Sequence, residues 1–118
     1  TNVAGSSRVF RGGVTGYASD VKFDVLGVDR GPVVSESAAV QMAVGARRVL
    51  GADVALAVTG VAGPDEQDGM PAGTLCIGIA LADGSTHSTT STLPGVRDQM
   101  RQMSVITALD FLRRHIPQ

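Results

Sequence analysis

The sequence predicts an α/β sandwich of three layers, α/β/α, with helices on both sides of a mixed, mostly parallel sheet. Three observations carry that reading. The predicted elements run in the order β-α-α-β-β-β-α. Two runs, 54–58 (VALAV) and 74–81 (TLCIGIAL), are continuously apolar, as strands covered on both faces are. Two longer segments repeat their apolar residues at helical spacing, which gives each a face to lay on such a sheet.

Residues 8–17 (RVFRGGVTGY) read as a strand interrupted at Gly12-Gly13, where a bulge or a close backbone approach is expected. Ser19 can cap a short helix that runs to about Leu26 and stops at Gly27. Gly31-Pro32 marks a loop. Ser35 caps a clear helix: Ala39, Met42, Ala43, Ala46, Val49 and Leu50 share a face, Glu36 suits the positive end, and Gly51 stops it. The 54–58 run is expected as an inner strand with this helix packed on it. Residues 59–73 form a long loop rich in Gly and Pro, and 74–81 are the second apolar strand. Asp83-Gly84 signals a turn, and 87–93 alternate Thr and Ser as an edge strand does. Pro94-Gly95 opens a last helix from Arg97 to about His115, with Val105, Leu109, Leu112 and Ile116 as its core stripe and Met103 and Ile106 beside it.

A chain of 118 residues is one domain with one modest core. Aromatics are only 3%, so that core is built from Val, Ala, Leu, Ile and Met. A net charge of −1 and the lack of any long basic run argue against nucleic acid or an anionic membrane as partner. Arg47-Arg48 and Arg113-Arg114 are expected as solvated cations at helix ends. Cys76 is the single cysteine, which excludes an intrachain disulfide and fits a reducing cytoplasm; its apolar surroundings make it a core residue, not a nucleophile. No segment reads as a membrane-spanning helix or a secretory signal. The first residue is Thr1, so the chain is expected to be a processed product, an excised piece or a fragment.

Three places could carry chemistry. The loop after Val58 lies where open α/β sheets bind ligands, and its glycines let backbone N–H groups face an anion or a carbonyl oxygen. It is neither a Walker loop nor GxGxxG, and a mobile surface loop is the competing reading. Tyr17 and Lys22 bracket the start of the first helix, where an amine beside a hydroxyl is a Tyr-Lys or Ser-Lys base arrangement; a solvated lysine is the plain alternative. Arg97 at a helix start could meet a phosphate, or be an ordinary surface residue. Asp65, Glu66 and Asp68 miss the calcium-loop spacing and read as a solvated acidic loop, and His87 and His115 are isolated from any second ligand.

These places line up with one family. Residues 12–17 (GGVTGY) followed by Lys22, 31–36 (GPVVSE), 59–64 (TGVAGP), 71–74 (PAGT), and Gly95 with Arg97 resemble, in order, the blocks of the CinA C-terminal domain family of nicotinamide-nucleotide amidohydrolases. The likeness spans residues 1–118 as one partial domain. It implies hydrolysis of the carboxamide of nicotinamide mononucleotide to the nicotinate nucleotide and ammonia, in pyridine nucleotide salvage. By resemblance, Tyr17 and Lys22 are catalytic and activate a serine; Gly12, Gly13, Thr59, Gly60, Ala62 and Gly63 bind substrate and help hold the oxyanion; and Arg97 contacts the nucleotide phosphate. No metal or other cofactor is implied.

The family's E-S-C-T-G-G block, which carries the serine, would precede the region matching Thr1 and does not occur in these 118 residues. Val96 stands where an Asp is common, and Met70 where a Lys is. The resemblance thus implies a domain lacking the family's first strand and flanking helices, with apolar surface left to be covered by a separate N-terminal segment or by another subunit in a homo-oligomer. Two other readings stand beside the amidase: a nucleotide-binding or assembly module without catalysis, and an enzyme using Thr1 as an N-terminal nucleophile.

Overall fold

The structure, a computed structural model, describes residues 3–94 and 97–116. A short 3-10 turn, Ser6–Arg8, precedes α1 (Ser19–Asp24) and α2 (Glu36–Leu50). Three strands follow, β1 (Ala55–Gly60), β2 (Thr74–Ala80) and β3 (Thr86–Thr92), and then α3 (Arg97–His115). The strands form one sheet in the order β1-β2-β3. The α/β class and the three layers are as expected: α2 covers one face and α3 the other. Ala55, Ala57 and Ala80 pack with Met42 and Ala43 on the α2 side, whereas Leu75 and Ile77 pack with Met100 and Ala108 on the α3 side.

The sheet corrects the expectation of mostly parallel strands, since both pairings are antiparallel. β2 and β3 are joined by the tight 81–85 turn, and β1 and β2 by a loop that folds back on itself, so no helical crossover intervenes. The apolar runs misled because continuous burial comes from helices on both faces, whatever the strand direction. β2, buried along its whole length, is the inner strand. β1 ends the sheet, with Val54 and Val58 37% and 43% exposed, so the 54–58 run is not the inner strand expected. β3 is the other edge, as its Thr/Ser alternation indicated.

Local signals held best at α2. Ser35 accepts the Ala38 amide at 3.0 Å and Gly51 closes the helix in the left-handed conformation. Two approaches without side chains set how tightly this helix packs. A Cβ added to Gly78 of β2 would lie 2.4 Å from the Ala39 carbonyl carbon, and one added to Gly45 would lie 1.9 Å from the Leu26 carbonyl oxygen. Arg47 is no solvated cation: it donates to the carbonyls of Ala52 and Leu81, at 3.2 and 2.7 Å, and ties the end of α2 to the sheet. Arg48 likewise reaches the Val25 carbonyl. Arg113 and Arg114 pair with Asp110.

Other expectations fail for identifiable reasons. Residues 8–17 form no strand, since nothing pairs with them beyond the Ser6–Arg8 turn. Ala18, not Ser19, caps α1, which stops at Asp24; Gly27 does end the turn that follows, in the left-handed conformation, as expected. In α3 the buried residues are Met100 and Ala108; Val105, Ile106 and Leu109 are exposed. A small residue permits the close seat on β2, and the branched stripe is turned aside. His87 and His115 are brought together, rings 4.4 Å apart, with Phe111 against His115; among the described residues no group of three or more potential metal ligands forms. Cys76 is fully buried, as expected. Pro94-Gly95 as helix opener falls partly outside the described residues. Among the described residues no helix is long and apolar enough to cross a membrane.

Two outcomes follow. Gly45→Ala forces the Leu26 backbone off α2 and is expected to cost more than about 3 kcal/mol in urea unfolding, against less than about 1 kcal/mol for the neighbouring exposed Val44→Ala. The Glu36 carboxylate accepts from Thr90 and Ser88, both at 2.7 Å, and these bonds hold it below its ordinary value of 4.5. Its contribution to stability is present above that value and fades as pH falls through the lower folded one. A Ser88→Ala/Thr90→Ala variant should therefore lose less stability than the parent between about pH 5 and pH 3, read by unfolding at each pH.

Candidate functional site

A cavity of about 800 Å³ opens between the chain before α1, the end of β1 and the start of α3. Its walls include Tyr17 and Lys22, then Thr59, Gly60, Ala62 and Gly63, and Arg97. Three separate motifs of the sequence thus meet at one place. Lys22 sits in the last turn of α1, not the first-turn position expected from a Ser19 cap. Its aliphatic stem lies over Gly16, where an added Cβ would come within 3.2 Å of the Lys22 Cγ. Tyr17 is 95% exposed and lies at the rim.

The loop wall is held by named bonds. The Thr59 hydroxyl is buried and donates to the Val33 carbonyl at 2.8 Å, which leaves its lone pairs as the group it can offer a ligand. The Val61 amide donates to the Thr74 carbonyl at 2.9 Å and the Gly73 amide to the Val61 carbonyl at 2.7 Å, so the loop ends continue the β1-β2 ladder. Arg97, from the first residue of α3, donates to the Gly63 carbonyl at 3.1 Å. One end of the guanidinium therefore braces the loop, a role that the phosphate expectation did not include. Gly95, the companion of Arg97 in the motif, lies outside the described residues.

Gly12 and Gly13 are not part of this cavity. They line a second one, also about 800 Å³, with Val54, Leu56, Leu109 and Leu112. That space is walled mainly by aliphatic groups and contains neither Tyr17 nor Lys22. The glycine pair is separated from its expected partners because residues 8–14 face β1 across the second cavity, and only from Val14 onward does the chain line the first one.

The acidic loop is exposed, as expected, but one of its residues is also bonded. Asp68 accepts the backbone amides of Val33 and Val34, at 2.9 and 3.1 Å. The Asp68-Gly69 dipeptide, a strong hairpin-turn signal, could have marked the position. Its contact with a segment 34 and 35 residues away could not be read from spacing.

The chain matches the CinA C-terminal domain model over residues 1–116. It is 48% identical to a CinA-like protein of Frankia casuarinae and 46% to one of Mycolicibacterium gilvum, in each case over 97% of this chain. It spans only 27% and 28% of the length of those relatives. Among solved structures, it resembles competence damage-inducible protein A (ComA) from Klebsiella pneumoniae, with a TM-score of 0.89 and 29% identity over 96% of this chain and 73% of that one. It also resembles the competence/damage inducible protein CihA from Agrobacterium tumefaciens, with a TM-score of 0.87 and 34% identity over 95% of this chain and 72% of that one. Sequence motifs, fold and matches agree: the chain belongs to the CinA C-terminal domain family.

Proposed function

We propose that the cavity takes a nicotinamide nucleotide and serves hydrolysis of its carboxamide, giving the nicotinate nucleotide and ammonia. The observation that carries this reading is the convergence of Tyr17, Lys22, the Thr59–Gly63 wall and Arg97 on one cavity. Glycines along the wall let backbone groups approach a planar amide closely. In the proposed reaction a serine oxygen attacks the amide carbon while its proton passes toward Tyr17 and Lys22. The resulting oxyanion lies against the wall. The C–N bond then breaks, the proton returns to the departing nitrogen, and ammonia leaves. Water hydrolyses the acyl-serine. Arg97 faces the phosphate with whatever part of its guanidinium Gly63 does not hold.

The serine comes from the E-S-C-T-G-G block, which is not among the 118 residues. A second reading, a nucleotide-binding or assembly module, is favoured by the 95% exposure of Tyr17, which stands in solvent instead of packed beside a reacting group. The two are separated by turnover. The purified chain alone is expected to release ammonia from nicotinamide mononucleotide at a rate lower by several orders of magnitude than the same chain supplied with a family segment carrying the block. In that complemented assembly, Lys22→Ala should lower kcat by roughly 10²- to 10⁴-fold. Full turnover by the chain alone would show that the nucleophile is misplaced; no turnover with the segment bound would favour the module.

A further inference from the structure

Among the acidic residues of the long loop, Asp68 alone has hydrogen-bond partners within the described residues. Its position is built in two steps. Gln67 and Met70 exchange backbone hydrogen bonds at 3.0 and 2.8 Å, which closes a two-residue hairpin turn. The central residues, Asp68 at φ 53° and Gly69 at φ 75°, are both left-handed, the combination a type I′ turn needs. The turn thrusts the Asp68 carboxylate across the fold, where one oxygen accepts two consecutive amides, those of Val33 and Val34. Bonds between an ionised carboxylate and backbone N–H groups are stronger than neutral ones.

The segment so gripped is also held from the other side, because the Val33 carbonyl accepts the Thr59 hydroxyl. Val34 and Thr59 both line the cavity with the catalytic candidates, and the hairpin ends the wall formed by residues 60–67. The wall is thus fixed at two points distant in sequence: Arg97 on Gly63, and Asp68 on Val33 and Val34. Met70, just past the turn, packs on the cluster of Val33, Val34 and Val61. Besides the carboxylate latch, Met70, the ladder ends and the Thr74 bonds to the Pro71 carbonyl hold the hairpin.

We propose that Asp68 is a positioning residue of the cavity, which sets the wall against which the pyridine end of a nucleotide lies. The proposal rests on the nucleotide reading given above. It touches no reacting atom; it acts through the hairpin. A merely stabilising contact would loosen the fold as a whole, whereas a positioning role requires that the effect of removing Asp68 be confined to the wall and spread along it.

The test compares the 118-residue chain with Asp68→Ala, Asp68→Asn and, as a control, Asp83→Ala, whose carboxylate serves only the 83–85 turn. Affinity for nicotinamide mononucleotide is measured by calorimetry, and amide exchange by NMR on the ligand-free samples. Asp68→Ala is expected to weaken affinity about tenfold or more. It should speed exchange at Val33 and Val34, and also at Val61 and Gly73, while the amides of β2 stay protected. Asp68→Asn keeps an acceptor oxygen without the charge and should fall between, and Asp83→Ala should match the parent. The proposal is overturned if Asp68→Ala binds as tightly as the parent, or if faster exchange stays confined to Val33 and Val34. It is equally overturned if β2 loses protection too, since Asp68 would then support the fold as a whole. A parent chain without affinity for the nucleotide contradicts the nucleotide reading instead, and the spread or confinement of exchange still decides the latch.

Discussion

Helix α2 lies on the sheet at a distance that only a bare Cα allows. At Gly78 the helix backbone occupies the space where a side chain would begin, and at Gly45 the backbone of Leu26, just past α1, does the same to the helix. A glycine inside a helix or strand costs about 0.5–1 kcal/mol relative to alanine, and here that cost is offset by close packing on both sides. Three parts of the cavity hang from this contact. α2 fixes the residues leading into it, Val33 and Val34; β2 fixes β1, and hence Thr59; and Leu26, seated on Gly45, anchors the end of the segment that carries Lys22.

The cavity itself depends on backbone hydrogen bonding more than on ion pairs. Val33 gives its amide to Asp68 and its carbonyl to Thr59, and Val34 gives its amide to the same carboxylate. Those groups belong to an irregular segment with no ladder partner of its own, and an unpaired backbone group in such a place is costly. The loop supplies the missing partners and becomes ordered by doing so. That exchange explains how a stretch rich in glycine and proline can present a defined wall. The ion pairs, by contrast, are at the surface and weak: Arg30 with Asp24, and Asp110 with Arg113 and Arg114.

Whatever the chain encodes locally was legible. The Ser35 cap and the Gly51 stop place α2 to within a residue, and the Thr/Ser alternation identifies β3 as an edge. Pairing was not legible, because a strand's direction is a property of its neighbour. An apolar run such as 54–58 records burial and says nothing of orientation. The face of α3 was misread for a related reason. Its large apolar residues outnumber the small ones, but Met100 and Ala108 fit the surface that β2 presents. At the site, motif order was enough to gather Tyr17, Lys22, Thr59 and Arg97. It failed for Gly12 and Gly13, which sit in the neighbouring cavity, and for Asp68, whose partners are remote in sequence.

Of the two cavities of about 800 Å³, the one holding Lys22 and the loop is the proposed nucleotide site. An NMR titration of the chain with nicotinamide mononucleotide addresses that assignment directly. The account predicts shifts at the amides of Gly60, Ala62 and Gly63 and around Lys22, with Gly12, Gly13 and Leu109 unmoved. Shifts centred on Gly12, Gly13 and Leu109, or none at either place, would contradict it.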